Sequence, residues 1–218
     1  MNYELVKRIL TSLVLLPILI YCSYNSGFYF IIFLSTIYFF SFYEIFKNTK
    51  NFLFNFISNI IIIFALFSFY YLRGETSSSL TLLYWILLST FLSDIGGYTF
   101  GKIFKGRKLS KISPNKTISG SIGSIIFSLM SLPILNFFQD LILDEKLINF
   151  YQLKFFLITI LFSITCQFGD LFVSFWKRRA KVKNISNILP GHGGVLDRID
   201  GLIFVLIFSF SIKIVGLI

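Results

Sequence analysis

The feature that most constrains this chain is a succession of apolar runs, each near the length of a membrane crossing, separated by short loops that carry cations. A helix needs roughly 20 apolar residues to cross the hydrocarbon layer. Runs of about that length fall at Ile9–Tyr24, Gly27–Phe46, Phe52–Leu72, Leu80–Phe100, Ile118–Phe138, Phe155–Trp176 and Ile199–Leu217. With 56% hydrophobic residues, 29 Phe and 14% charged residues, the chain has too much apolar surface for a soluble core. The pattern predicts an all-α polytopic integral membrane protein of about seven transmembrane helices. The domain expected is a single membrane domain over 1–218, with three N-terminal spans in 1–75 and the catalytic spans and loops in 80–218. The first run, behind Lys7 and Arg8, has the charged and apolar parts of a signal peptide. No small-residue cleavage pattern follows it, so it is read as a retained span.

The loops set an orientation. With the N-terminus in the cytoplasm, 16 of the 20 Lys and Arg fall on the cytoplasmic side; the exceptions are Arg73, Lys146, Lys154 and Lys213. The net charge of +10 is thereby explained without nucleic acid as a partner. The acids follow the same polarity. Glu44, Asp94, Asp170, Asp197 and Asp200, from four spans, all fall in the half facing the cytoplasm, which predicts a polar cavity open to that side. A transporter would need such residues through both halves, and the far half is nearly free of them. Cys22 and Cys166 lie in apolar runs, match no zinc spacing, and form no disulfide framework.

Chemistry concentrates between Ser163 and Gly201. In a helix, Ser163, Gln167, Asp170, Ser174 and Lys177 share one face, a polar stripe that must face protein or water. Lys177, Arg178, Arg179, Lys181 and Lys183 follow, then a Gly-rich turn at 190–194, then Asp197, Arg198 and Asp200. Carboxylates beside several cations make a site for a divalent metal and phosphate groups. Asp170, Asp197 and Asp200 are the metal candidates. Arg179 and Lys181 read as a membrane flank.

The spacing of Ser174, Lys177, Arg178, Lys183, Pro190, His192, Gly193, Gly194, Asp197, Arg198 and Asp200 resembles the signature of the phosphatidate cytidylyltransferase (CDP-diacylglycerol synthase) family. A second stretch is also similar: Asp94, Gly96, Gly97, Tyr98 and Gly101, then Ser113, Pro114, Lys116 and Thr117. Glu44 resembles a Glu common in the family. Three positions depart from the pattern: Ser119 replaces a Glu, Asn184 an Asp, and Trp176 an aliphatic residue, Met or Phe. The resemblance covers about Asp94 to Gly201.

The resemblance implies transfer of cytidylyl from CTP to phosphatidate, giving CDP-diacylglycerol and pyrophosphate, in the inner membrane if the source is bacterial. It implies Mg2+ on Asp170, Asp197 and Asp200, and a second cation such as K+. Lys177, Arg178 and Arg198 would act on the reacting phosphates. Asp94, Lys116, Lys183, His192, Gly193 and Gly194 would bind substrate, His192 by positioning or phosphate contact, or structurally. A homodimer is left open. The alternatives are an enzyme acting on another lipid phosphate and, further off, a non-enzymatic transporter.

Overall fold

The computed structural model describes residues 3–48, 51–110, 113, 116–142, 147–179 and 193–218. Among these the chain forms eight helices: α1 Tyr3–Asn25, α2 Gly27–Asn48, α3 Phe52–Arg73, α4 Ser77–Phe104, α5 Ile118–Leu129, α6 Ser131–Ile142, α7 Leu153–Arg179 and α8 Leu196–Ile214. The described residues contain no strand beyond an isolated bridge between Lys108 and Thr117. Among the described residues, five stretches are long and apolar enough to cross a membrane: Gly27–Lys47, Phe52–Arg73, Ser77–Phe104, Ile118–Gln139 and Leu153–Arg179. Their outer faces carry exposed Phe28, Phe52, Ile63, Phe67 and Phe137, as lipid-facing helices do.

The fifth expected span is two helices rather than one, breaking at Met130. The cause is Pro133, in the first turn of α6. Proline has no N–H to give the Leu129 carbonyl, and its ring crowds that group. The Met130 N–H instead bonds the Phe127 carbonyl, three residues back, at 3.0 Å.

α4 packs most extensively on α5. The contact is built from small residues, so the two backbones nearly touch. A Cβ at Gly97 would lie 2.6 Å from Ser124 Oγ, and one at Gly120 would lie 2.7 Å from the Gly97 carbonyl. α7 packs against α8, α5 and α4, and α8 against α3. Trp85 of α4 is fully buried among Phe150, Phe155 and Phe162, and its indole N–H donates to Thr159 Oγ1 of α7 at 3.1 Å. One apolar core runs from Phe30 and Leu34 of α2 to Ile212 of α8.

The two ends of the bundle differ. At one end, buried Arg73 donates to the carbonyls of Ser23, Tyr24 and Gly74. Lys213 reaches the Leu72 carbonyl at 3.4 Å and lies over the Tyr71 ring. The last carbonyls of a helix lack intrahelical partners and carry the negative end of its dipole, so both cations cap helix C-termini. The other end holds the last turns of α2, α4 and α7, the first turns of α5 and α8, and with them Glu44, Asp94, Asp170, Asp197 and Asp200.

Candidate active site

The polar stripe of α7 finds protein partners at Ser163, Gln167, Asp170 and Lys177. Ser163 Oγ lies 2.9 Å from Ser93 Oγ of α4. Gln167 exchanges hydrogen bonds with α5: its Nε2 donates to the Ser121 carbonyl at 3.3 Å, and Ser121 Oγ donates to its Oε1. Asp170 and Lys177 then take part in three ion pairs among the described residues. The Nζ of Lys116 is 2.7 Å from Asp170 Oδ2. The Nζ of Lys177 is 2.7 Å from Asp197 Oδ1 and 3.6 Å from Asp200 Oδ2.

Lys116 is aimed by the loop ahead of α5. The two legs of that loop are tied where the Leu109 N–H donates to the Lys116 carbonyl at 2.8 Å and the Ile118 N–H to the Arg107 carbonyl at 3.0 Å. Thr117 caps α5 by accepting from the Gly120 N–H at 3.1 Å. Ser119 Oγ donates to the Lys105 carbonyl, bracing the same loop.

Asp94, Cys166 and Asp170 bring one ligand atom each within 4.8 Å of one another. Asp94 is exposed, Asp170 partly buried and Cys166 buried, with its thiol donating to Asp94 Oδ1 at 3.4 Å. Two hard carboxylate oxygens fit Mg2+, and the thiol in this contact is a donor rather than a soft thiolate ligand. Behind them Gly201 lets α8 approach. A Cβ there would fall 2.6 Å from Cys166 Sγ and 2.7 Å from Asp170 Oδ1.

The start of α8 is held from outside. Buried Glu44, in the last turn of α2, accepts from the Val195 N–H at 2.7 Å and from the Leu196 N–H at 3.0 Å. The Gly194 N–H donates to Asp197 Oδ2 at 3.3 Å.

The model of the cytidylyltransferase family matches residues 47–215. This chain belongs to the cytidylyltransferase family. It is 42% identical over 139 residues to the phosphatidate cytidylyltransferase of Staphylococcus haemolyticus, covering 63% of this chain and 51% of the relative. It is 39% identical over 140 residues to that of Bacillus subtilis, with 64% and 49% covered. To that of Rickettsia conorii it is 33% identical over 144 residues, with 64% and 60% covered. The chain spans about half the length of the first curated relatives it matches. Membrane-length helices in a member of this family make it an integral membrane protein.

Against the family signature, the residues divide into three groups. Asp94 and Asp170 come together, and Lys177 joins Asp197 to Asp200. Among the described residues, the carboxylate that meets Asp170 within 4.8 Å in a three-ligand group is Asp94. Arg178 and Arg198 are exposed, as is Arg179, which lies 5.5 Å over the Phe175 ring. Lys183 and His192 lie outside the described residues, as do Lys181, Asn184 and Pro190. Gly193 takes a positive φ of 88°, a conformation that favours glycine. At Gly194 a Cβ would stand 2.9 Å from Glu44 Oε2, so this glycine makes room for a carboxylate of the protein itself.

Trp176, unusual for the family signature, is accommodated by α3. It stacks on Phe54 at 4.9 Å, and its Nε1 donates to Ser58 Oγ at 3.0 Å. Cys166 was not expected in the site. Its place one turn before Asp170 on α7 was the available signal, since residues four apart share a helix face.

Proposed function

We propose that this chain transfers cytidylyl from CTP to phosphatidate, releasing pyrophosphate and forming CDP-diacylglycerol in phospholipid synthesis. The observation that carries this reading is the pair Asp94 and Asp170 beside Lys116, with Lys177 between Asp197 and Asp200, all at one end of membrane-length helices. Family membership and relatives named phosphatidate cytidylyltransferase support it.

Asp94 and Asp170 would hold Mg2+, with Asp197 and Asp200 beside them; K+ is a candidate second cation. When bound, Mg2+ withdraws charge from phosphate oxygens and eases the approach of two polyanions. The remaining work belongs to the chain. An oxygen of the lipid phosphate, already ionised at neutral pH, forms a bond to the α-phosphorus of CTP as the bond to pyrophosphate breaks, so no general base is required. Lys116 and Lys177 place ammonium groups at the carboxylates where these phosphates would meet. Exposed Arg178 and Arg198 offer forks for the leaving pyrophosphate. Positioning and fixed charge supply most of the acceleration. His192 and Lys183 are proposed to contact substrate.

Purified protein supplied with CTP and phosphatidate should make CDP-lipid. A preference for another lipid phosphate would move the substrate assignment, and no incorporation from any of them would end the reading.

The acid end is proposed to face the cytoplasm, with the N-terminus on that side, in the inner membrane of a bacterium. The supporting argument is the distribution of 16 of 20 Lys and Arg. Ser78, beside the Arg73 end, then lies across the membrane. A thiol reagent confined to the far side should label a Ser78→Cys variant; labelling from the cytoplasm instead would reverse the orientation.

A further inference from the structure

The first N–H groups of a helix have no partner within it and form the positive end of its dipole. Helices usually answer this with a capping side chain of their own. α8 does not: its N-cap, Val195, makes no side-chain cap bond. The cap comes from another helix, 151 and 152 residues earlier in sequence, where the two oxygens of buried Glu44 take the N–H groups of Val195 and Leu196. Gly194 leaves the space this carboxylate fills. The turn that Glu44 anchors is the one that carries Asp197 and Asp200 to Lys177 and sets Gly201 against Cys166 and Asp170. Glu44 lies outside residues 47–215, the stretch the family model matches.

From this geometry we infer that Glu44 is a positioning residue for nucleotide transfer. Its two oxygens are engaged by the backbone N–H groups that open α8. It fixes the start and angle of α8, and through them the carboxylates of that helix and the wall behind Asp170. The inference rests on the proposed function for its link to turnover.

The test compares the purified full chain with Glu44→Gln, Glu44→Ala and, as a charge control at the other end, Glu75→Gln. Glutamine nearly preserves shape but turns an NH2 group toward one of the two N–H groups. Three quantities are read: amide exchange at Val195 and Leu196, Mn2+ binding by electron paramagnetic resonance, and the Mg2+ needed for half-maximal CTP turnover. Glu44→Gln should speed exchange at both amides at least tenfold, weaken Mn2+ binding and raise the Mg2+ requirement at least tenfold, with little change in melting temperature. Glu44→Ala should do more, and Glu75→Gln should change none of these.

Unchanged exchange would remove the cap itself. Faster exchange with wild-type kcat and metal dependence would leave Glu44 a structural cap and overturn the positioning role. If the wild type makes no CDP-lipid, the proposed function fails on its own. Mn2+ binding then decides Glu44, and equal affinity in Glu44→Gln overturns the inference.

Discussion

Replacing Asp170 by asparagine should abolish nucleotide transfer while the chain still folds. Asp170 is the acid where the α7 stripe, the Lys116 ammonium and the Asp94 carboxylate converge. The amide keeps an oxygen for Lys116 and nearly the same shape, so the cost to folding is small. What it loses is the negative charge that would hold a divalent cation. Such a cation contributes several kcal/mol of charge stabilisation in the transition state. At about 1.4 kcal/mol per decade, the fall in kcat/KM should be on the order of a thousandfold. Asp94→Asn should fail in the same way, because the two carboxylates act on one site. CTP incorporation measured beside a thermal melt separates chemistry from folding. Near-normal turnover in Asp170→Asn would mean the cation sits elsewhere.

Lys177→Met should damage both stability and turnover. The Lys177 side chain is 11% exposed and stands between Asp197, 13% exposed, and Asp200, 20% exposed. Removing one member of a buried ionic group leaves a charge poorly compensated and costs about 3–5 kcal/mol. For a chain of this size that lowers the melting temperature by roughly 10 °C. Turnover should disappear as well, since Lys116 alone then offers an ammonium to the phosphates and the one beside Asp197 and Asp200 is gone. The double variant Lys177→Met with Asp197→Asn removes one of the two crowded charges, so part of the melting temperature should return without activity. Recovery of activity together with stability would reduce Lys177 to a structural counterion.

The residues legible in advance were those whose placement follows from local geometry. The polar stripe on α7 was readable because a helix fixes which residues share a face, and Gln167 and Asp170 did find polar partners on α5 and beside Lys116. Most of the apolar runs were readable from hydropathy. The break at Met130 hung on a single Pro133 inside an otherwise unbroken apolar run, which hydropathy does not register.

Partnerships across the fold were not legible. Lys116 is 54 residues from Asp170, and only the packing of α5 on α7 decides that they meet. Cys166 looked like one more apolar residue because its importance comes from Asp94 on another helix. Glu44 bonds backbone N–H groups, which every residue but proline carries, so no side-chain pattern marks its target.

The cations at the Arg73 end have a mechanical consequence. Arg73 ties α3 to the last carbonyls of α1, and Lys213 ties α8 to the last turn of α3. These anchor points are backbone carbonyls, which cannot change rotamer or protonation. The opposite end combines the Glu44 cap on the α8 backbone with lysine–carboxylate pairs, whose members can exchange partners with an incoming anion. With α8 tied at one end by Glu44 and at the other by Lys213, exchange of lysine partners can redistribute charge without shifting the helix that carries Asp197 and Asp200, as a keyboard changes its notes under a fixed frame.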